Sequence, residues 1–274
     1  MERFEKFTGG RIEKRFELLQ KEGEKALIPF ITAGDPDLEV TKSLLLEIER
    51  SGADLIEVGV PFSDPIADGP VIQKSYQRAL KKGVSLRKII ALINDIREEI
   101  RIPIILMTAY NPLYHYGETD FVRDAVSAGI DGIIVPDLPP EEARSLIELT
   151  RGTGLDVIFL LAPTSTQDRI KDICKKSRGF IYYISLTGVT GVRESLADDI
   201  RDKISEIKRI SEKPVAIGFG ISNPEQAVVA AELADGVVVG SAIVKIIEEN
   251  IDRSDLTATV GSFIKGLKRG MQGK

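Results

Sequence analysis

Cysteine and histidine are almost absent from this chain of 274 residues. The single cysteine, Cys174, excludes an intramolecular disulfide, and it lies in an apolar run with helical spacing, where a small buried residue is expected. A catalytic thiol would need a histidine beside it, and the only histidine is His115. One cysteine and one histidine cannot form a typical zinc site, so we expect no bound metal.

Long apolar runs and an excess of positive charge are also missing. No apolar run approaches the roughly 20 residues that a membrane span needs. The first six residues, 1–6, are mostly charged and lack the apolar core of a signal peptide. The formal net charge is -5, and without a basic stripe nucleic acid is not expected as the main partner. These absences predict a soluble, cytoplasmic protein.

The sequence does contain a regular alternation of short apolar runs and amphipathic stretches. Near-continuous apolar runs are typical of parallel strands that are covered on both faces. We predict eight strands: Ala26–Thr32, Asp54–Val60, Pro103–Ala109, Asp131–Val135, Leu155–Leu161, Phe180–Ser185, Pro214–Phe219 and Gly236–Val239. Between them, Ser85 and Asn223 are predicted to cap helices, and a helix that follows Thr119 is predicted to end at Gly129.

Eight strands that alternate with helices favour a closed (β/α)8 barrel over a doubly wound sheet. No linker rich in proline, glycine or serine divides the chain, so we predict one α/β domain over residues 1–274. An extra helix, roughly residues 2–21, precedes the first strand. A short helix after the eighth strand, Ala242–Ile247, is predicted to help bind phosphate.

Glu57 is the strongest candidate for catalysis. Strand side chains alternate, so Glu57 shares a face with Leu55 and Gly59, while the outer face of the strand takes Ile56 and Val58. This pattern predicts that Glu57 points into the barrel, where burial raises the pKa of a carboxyl group and suits it to proton transfer near pH 7. The alternative is a buried glutamate paired with an interior cation, although the neighbouring strands offer no inward lysine or arginine.

The loop after the second strand, Pro61–Pro70, carries two further carboxylates, Asp64 and Asp68. Active sites of barrels lie at the C-terminal ends of the strands, so one of these aspartates could orient a substrate or take part in catalysis. The alternative is that both cap backbone N–H groups of the turn.

Three later loops are rich in glycine: Thr187–Gly191, Gly218–Gly220 and Gly240–Ser241. Glycine lets backbone N–H groups approach an anion, and the N-terminus of the following helix adds free donors. Each loop could be an ordinary turn, but the coincidence of three favours a phosphate site. No predicted strand contains lysine, which argues against a Schiff-base aldolase, and the missing histidine cluster argues against a zinc aldolase.

Several motifs, in order along nearly the whole chain, resemble the tryptophan synthase alpha chain. The most specific is Glu57–Pro70, and the others are Pro29–Pro36, Tyr110–Pro112, Pro136–Pro139, Gly188–Gly191, Gly218–Ser222 and Gly240–Val244. The resemblance implies a (β/α)8 barrel that cleaves indole-3-glycerol phosphate to indole and glyceraldehyde 3-phosphate by a retro-aldol step. It implies no cofactor in this chain, and a pyridoxal-phosphate beta chain as partner in an α2β2 assembly.

The resemblance also implies roles for individual residues. Glu57 matches the catalytic acid–base glutamate, and Asp68 matches the aspartate that binds the indole N–H. Asp64 would lie at the interface with the beta chain. The residues implied around the phosphate and the indole ring are Phe30, Tyr182, Thr190, Gly191, Phe219, Gly220, Gly240 and Ser241.

Two positions depart from the pattern of the family. Ala109 stands where many relatives carry a tyrosine that would contact the catalytic glutamate, and Leu186 stands where some carry an arginine in the sixth loop. Two other functions stay open: a non-catalytic, phosphate-binding regulatory subunit, and another phosphosugar enzyme such as an isomerase with paired carboxylates.

Overall fold

The computed structural model describes residues 10–65, 68–184, 194–218 and 220–273. Within them, nine parallel strands form one sheet in the order β5-β4-β3-β2-β1-β9-β8-β7-β6. The strands are β1 (Ala26–Thr32), β2 (Ile56–Gly59), β3 (Ile104–Met107), β4 (Gly132–Ile134), β5 (Asp156–Ile158), β6 (Leu160–Leu161), β7 (Ile181–Ile184), β8 (Val215–Gly218) and β9 (Gly236–Val239).

The two outermost strands of this order, β5 and β6, are separated in the chain by Phe159 alone. The sheet therefore closes into a barrel, and the predicted fifth strand is one strand divided in two. The division has a local cause, because the side chain of Ser177 accepts a hydrogen bond from the N–H of Phe159 at 3.1 Å. The predicted (β/α)8 barrel is confirmed.

Twelve helices lie in the described part of the chain. Their bounds are α1 (Arg11–Glu22), α2 (Leu38–Arg50), α3 (Pro70–Lys81), α4 (Leu86–Ile96), α5 (Tyr110–Tyr116), α6 (Glu118–Ser127), α7 (Arg144–Thr150), α8 (Gln167–Lys176), α9 (Glu194–Ile210), α10 (Pro224–Leu233), α11 (Ser241–Glu249) and α12 (Leu256–Met271). None of the helices in these ranges is long and apolar enough to cross a membrane.

The two predicted N-caps are confirmed. The side chain of Ser85 accepts from the N–H of Lys88 at the start of α4, and that of Asn223 accepts from the N–H of Gln226 at the start of α10. Helix α6 begins at Glu118, one residue before Thr119. Gly117, with a φ of 89°, turns the chain directly from α5 into α6.

The inside of the barrel is apolar up to the level of Glu57. One cluster of buried side chains fills it: Ala26, Ile28, Leu55, Ile105, Ile134, Ile158, Phe180, Tyr182, Ala216 and Val238. Helix α1 adds Ile12, Phe16 and Leu19 to the same cluster. The side chain of Ile12 occupies space that a Cβ on Gly132 or Gly179 would enter. Gly132 begins β4 and Gly179 comes just before β7, so α1 closes the end of the barrel where the strands begin.

Candidate active site

The second strand places Glu57 inside the barrel, as predicted. Its neighbours Ile56 and Val58 belong to the outer core between the strands and helices, whereas Leu55 belongs to the interior cluster. In the sheet register Glu57 lies between Phe30 of β1 and Ile105 of β3. Glu57 is therefore a carboxyl group with apolar neighbours on both sides, at the C-terminal end of the barrel.

Glu57 is buried, with 1% of its surface exposed, and its Oε2 atom has no hydrogen-bond partner within the described ranges. Burial disfavours the charged form, and the nearby charge of Asp68 disfavours it further, so the pKa of Glu57 rises to about 8. Glu57 forms no ion pair with any residue that the structure describes, so nothing supports the alternative of an interior cation. The group holds its proton near neutral pH.

Asp68 lies close enough to Glu57 for the two charges to interact. Burial raises the pKa of Asp68 to about 6, so this carboxyl group loses its proton before Glu57 does. Within the described residues, neither Asp68 nor Asp64 accepts a hydrogen bond from a backbone N–H, and residues 66 and 67 of the same turn lie outside those residues. The structure brings Glu57 and Asp68 together and leaves Asp64 exposed on the outer part of the loop.

Gln73, in the first turns of α3, holds the loop that carries Asp68. Its Nε2 atom donates to the carbonyl oxygen of Asp68 at 2.8 Å and to that of Pro65 at 3.3 Å. The sequence analysis missed this residue. A glutamine just inside a helix, four residues after the loop ends in Gly69, is a signal that could have suggested it, because its long amide can reach back over the turn.

Three aromatic rings surround the carboxyl pair. Phe30 packs with Tyr76 of α3, and a Cβ on Gly59 would lie 2.4 Å from the ring of Phe30 and 3.1 Å from the hydroxyl of Tyr76. A Cβ on Gly218 would similarly lie 2.5 Å from the ring of Tyr182. Both glycines are therefore needed because rings occupy the space that a side chain would fill.

The phenol groups of Tyr76 and Tyr182 both lie near the two carboxyl groups. The pKa of each phenol is raised well above its usual value, first by burial and then by the charges of Asp68 and Glu57. Tyr76 was not predicted from the sequence, because the family pattern has its tyrosine after the third strand, where Ala109 stands. In this chain the hydroxyl groups near the carboxyl pair come from α3 and β7.

Thr32 is a third residue of the site that was not predicted from the sequence. It follows Ile28 and Phe30 on the inward face of β1 and pairs in register with Gly59. Its exposed fraction is 1%, and its hydroxyl has no partner in the part of the chain that the structure describes. A buried, unpaired hydroxyl normally costs free energy, so its presence at the mouth marks a polar position of the site.

The predicted phosphate region is only partly described. Gly240 is the N-cap of α11, and Ser241 is its first residue, so the helix N-terminus directs free N–H groups to the same end of the barrel. The adjacent strand β8 ends at Gly218, and the exposed Gly220 follows. Thr190, Gly191 and Phe219 lie outside the described residues, as does Leu186.

A buried ionic network joins α3 to α11. The carboxylate of Asp35, 1% exposed, accepts from Nε and an Nη atom of Arg78 at 2.8 and 2.7 Å and from the hydroxyl of Ser75. The other Nη atom of Arg78 donates to Glu248 of α11 at 2.8 Å. The helix that follows the Asp68 loop and the helix of the phosphate region are thus held by one guanidinium group.

Comparisons of this chain with known proteins identify its family. The family model for the tryptophan synthase alpha chain matches residues 16–270. This chain belongs to the tryptophan synthase alpha chain family. Among the named relatives, the alpha chain of Geotalea uraniireducens is 53% identical over 262 residues, covering 96% of this chain and 98% of the relative. That of Citrifermentans bemidjiense is 51% identical over 261 residues, with 95% and 97% covered.

Solved structures of the family have the same fold as this chain. The alpha subunit of Legionella pneumophila superposes with a TM-score of 0.90 at 37% identity, covering 97% of this chain and 99% of that one. A chain of the tryptophan synthase of M. tuberculosis superposes with a TM-score of 0.87 at 33% identity, with 96% and 99% covered. The match to the family model, over residues 16–270, thus includes all nine strands as well as Glu57 and Asp68.

Proposed function

We propose that this chain is a carbon–carbon lyase that cleaves indole-3-glycerol phosphate into indole and glyceraldehyde 3-phosphate, the alpha reaction of tryptophan synthase. The observation that carries the proposal is the pair of carboxyl groups at the barrel mouth. Glu57 has a pKa of about 8 and Asp68 a pKa of about 6. Between these values one group is protonated and the other is ionised, which is the combination that the reaction needs.

Glu57 acts first as an acid and then as a base. Its carboxyl proton adds to the indole ring carbon that bears the glycerol chain. The resulting carboxylate takes the proton of the adjacent glycerol hydroxyl while the carbon–carbon bond breaks, and the hydroxyl carbon becomes the aldehyde of glyceraldehyde 3-phosphate. The electron pair of the broken bond restores the indole ring, and Glu57 ends the cycle protonated.

Asp68 stabilises the charge that develops between these two proton transfers. Protonation of the ring carbon places positive charge on the indole ring, with a large share on the ring N–H. An ionised Asp68 that accepts this N–H favours the charged intermediate. Before the first transfer, at a pH between about 6 and 8, Glu57 is neutral while Asp68 is ionised, so the two carboxyl groups do not compete for the ionised state in the resting site.

The remaining site residues bind the two ends of the substrate. We assign Phe30 to packing against the indole ring. To the phosphate and the indole pocket together we assign Tyr182, Thr190, Gly191, Phe219, Gly220, Gly240 and Ser241. Support comes from the N-terminus of α11, where free N–H groups and the helix dipole favour an anion. Binding the phosphate away from the breaking bond supplies orientation for the reacting groups.

The proposed partner is a tryptophan synthase beta chain in an α2β2 assembly that receives the indole. Asp64 is assigned to that interface because it is exposed, in the same loop as Asp68. We expect the assembly in the cytoplasm, as the resemblance to the family implies.

The test is indole release from indole-3-glycerol phosphate by the intact chain and by Glu57→Gln, each with and without a beta chain. We expect slow release by the intact chain, strong acceleration by the partner, and a loss of about a hundredfold or more in the variant. Binding of the phosphate substrate without any release would instead favour the regulatory subunit. Undiminished release by Glu57→Gln would keep the reaction but reject Glu57 as its acid–base group.

A further inference from the structure

The loop between β2 and α3 carries two aspartates with different surroundings. Asp64 is exposed on the outer side, whereas Asp68 is partly buried beside Glu57. Such a loop has no sheet partner of its own, so other contacts must set the position of Asp68. The contacts of the loop backbone therefore decide where the carboxylate points.

Gln73 makes the side-chain contacts that hold this backbone. The backbone N–H of Asp68 donates to the carbonyl oxygen of Pro65 at 3.2 Å, which closes a turn. The amide of Gln73 donates to that same oxygen and to the carbonyl oxygen of Asp68. One side chain thus ties both ends of the turn to α3.

The backbone of Gln73 is itself held in place. The N–H of Gln73 donates to the carbonyl oxygen of Gly69 at 3.0 Å and so forms part of the first turn of α3. Further along α3, Ser75 and Arg78 bind the buried carboxylate of Asp35. Gln73 therefore connects a helix with buried anchors to the loop that carries Asp68.

We propose that Gln73 is a positioning residue for catalysis, which sets the place of the Asp68 carboxylate by holding the carbonyl oxygens of Pro65 and Asp68. The inference rests on the proposed function, because it assigns to Gln73 a role that acts through Asp68. The amide NH2 group of Gln73 supplies two N–H donors, one to each carbonyl oxygen. A carboxylate at the same position would repel both oxygens, and a thioether would remove the hydrogen bond that Gln73 donates to each.

The experiment compares Gln73→Met and Gln73→Glu with a matched control, Lys74→Met, which changes the next, exposed residue of the same helix. Indole release is measured in the complex with a beta chain, across pH 5 to 9, together with Asp68→Asn. We expect both Gln73 variants to lower kcat by about tenfold to a hundredfold, as a small displacement of a reacting group does, with a much smaller change in KM. Lys74→Met should behave as the unchanged chain.

The pH profile separates a positioning role from a general loss of structure. Release of the loop gives the Asp68 carboxylate more contact with water, so the acidic limb of the profile should move to lower pH in the Gln73 variants. Melting curves and binding of glyceraldehyde 3-phosphate show how much of each variant is folded. If the lower rate only follows a smaller folded fraction, with an unmoved acidic limb, the inference is wrong.

The outcomes also separate this inference from the proposed function. If Asp68→Asn loses activity while both Gln73 variants keep the full kcat, then Gln73 does not position the aspartate, and the proposed reaction stands. If Asp68→Asn keeps full activity, the assignment of Asp68 is wrong, and with it the role of Gln73. Loss of kcat in all three variants, with the shifted limb in the Gln73 pair, supports both.

Discussion

At the scale of single residues, Glu57 combines deep burial with the absence of any described hydrogen-bond partner for Oε2. A carboxyl group in such a place destabilises the folded chain whenever it is ionised, because a buried charge without a partner is costly. The same environment keeps the proton on Glu57 near neutral pH, which the proposed reaction requires. The buried carboxyl group that the proposed activity requires therefore lowers the stability of the folded chain when it is ionised.

Glu57→Gln should lower activity and raise stability at high pH. The folded pKa of about 8 lies above the ordinary value of 4.5, so between these values the folded chain keeps a proton that the unfolded chain has lost. The free energy of unfolding of the intact chain therefore falls as pH rises through this window. In urea unfolding at pH 5, 7 and 9, the free energy of unfolding of the variant should rise relative to that of the intact chain as pH increases.

The control for this prediction is Glu99→Gln, an exposed glutamate at the opposite end of the barrel. It should leave the pH dependence of unfolding unchanged. Parallel pH dependences of Glu57→Gln and the intact chain would show that Glu57 does not hold its proton in the folded state.

At the scale of secondary-structure elements, the site depends on how α3 and α11 are held. Helix α3 carries Gln73 and Tyr76, and α11 begins at the glycine and serine of the phosphate region. Asp35, Arg78 and Glu248 link the two helices through charge-assisted hydrogen bonds, which are stronger than neutral ones. The two halves of the site thus share one anchor.

Arg78→Met should destabilise the chain far more than an equivalent change at the surface. It leaves the buried carboxylate of Asp35 without its main partner, and breaking a buried pair in this way costs about 3 kcal/mol or more. The matched control is Arg123→Met, since Arg123 is 65% exposed and pairs with carboxylates on the surface. That change should cost far less, because an exposed ion pair contributes little to stability. Similar losses in urea unfolding would mean that the Asp35 network contributes little.

At the scale of the whole molecule, the mouth of the barrel faces both the substrate and the proposed beta chain. Asp64 reaches outward from the loop whose inner part carries Asp68. The α4–β3 connection, which contains Glu99, lies at the other end of the barrel. One end of the barrel therefore carries the candidate site and the proposed interface, whereas α1 closes the opposite end.

Asp64→Ala should weaken binding of the beta chain and leave the activity of the isolated chain unchanged. We expect the beta-chain concentration for half-maximal stimulation to rise by about tenfold, which corresponds to about 1.4 kcal/mol. Glu99→Ala, at the other end, should not change it. An unchanged stimulation curve for Asp64→Ala would place the interface elsewhere.

The sequence by itself determined the barrel and the direction of Glu57. Apolar runs, helix caps and alternation are local patterns, and in a parallel barrel they decide which side chains point inward. The local pattern did not show where a neighbouring element intervened, as at Phe159, where Ser177 takes the backbone N–H.

Only the tertiary structure decided how the site is completed. Tyr76 and Tyr182 come from different elements, α3 and β7. The hydrogen bonds of the Gln73 amide and the ionic network of Asp35 likewise join segments whose contacts no local pattern encodes. The pKa values of Glu57 and Asp68 likewise depend on burial and on their mutual distance. Hydrogen bonds and charge interactions act over a few ångströms in space, so they exist only after the closed barrel has brought distant parts of the chain together.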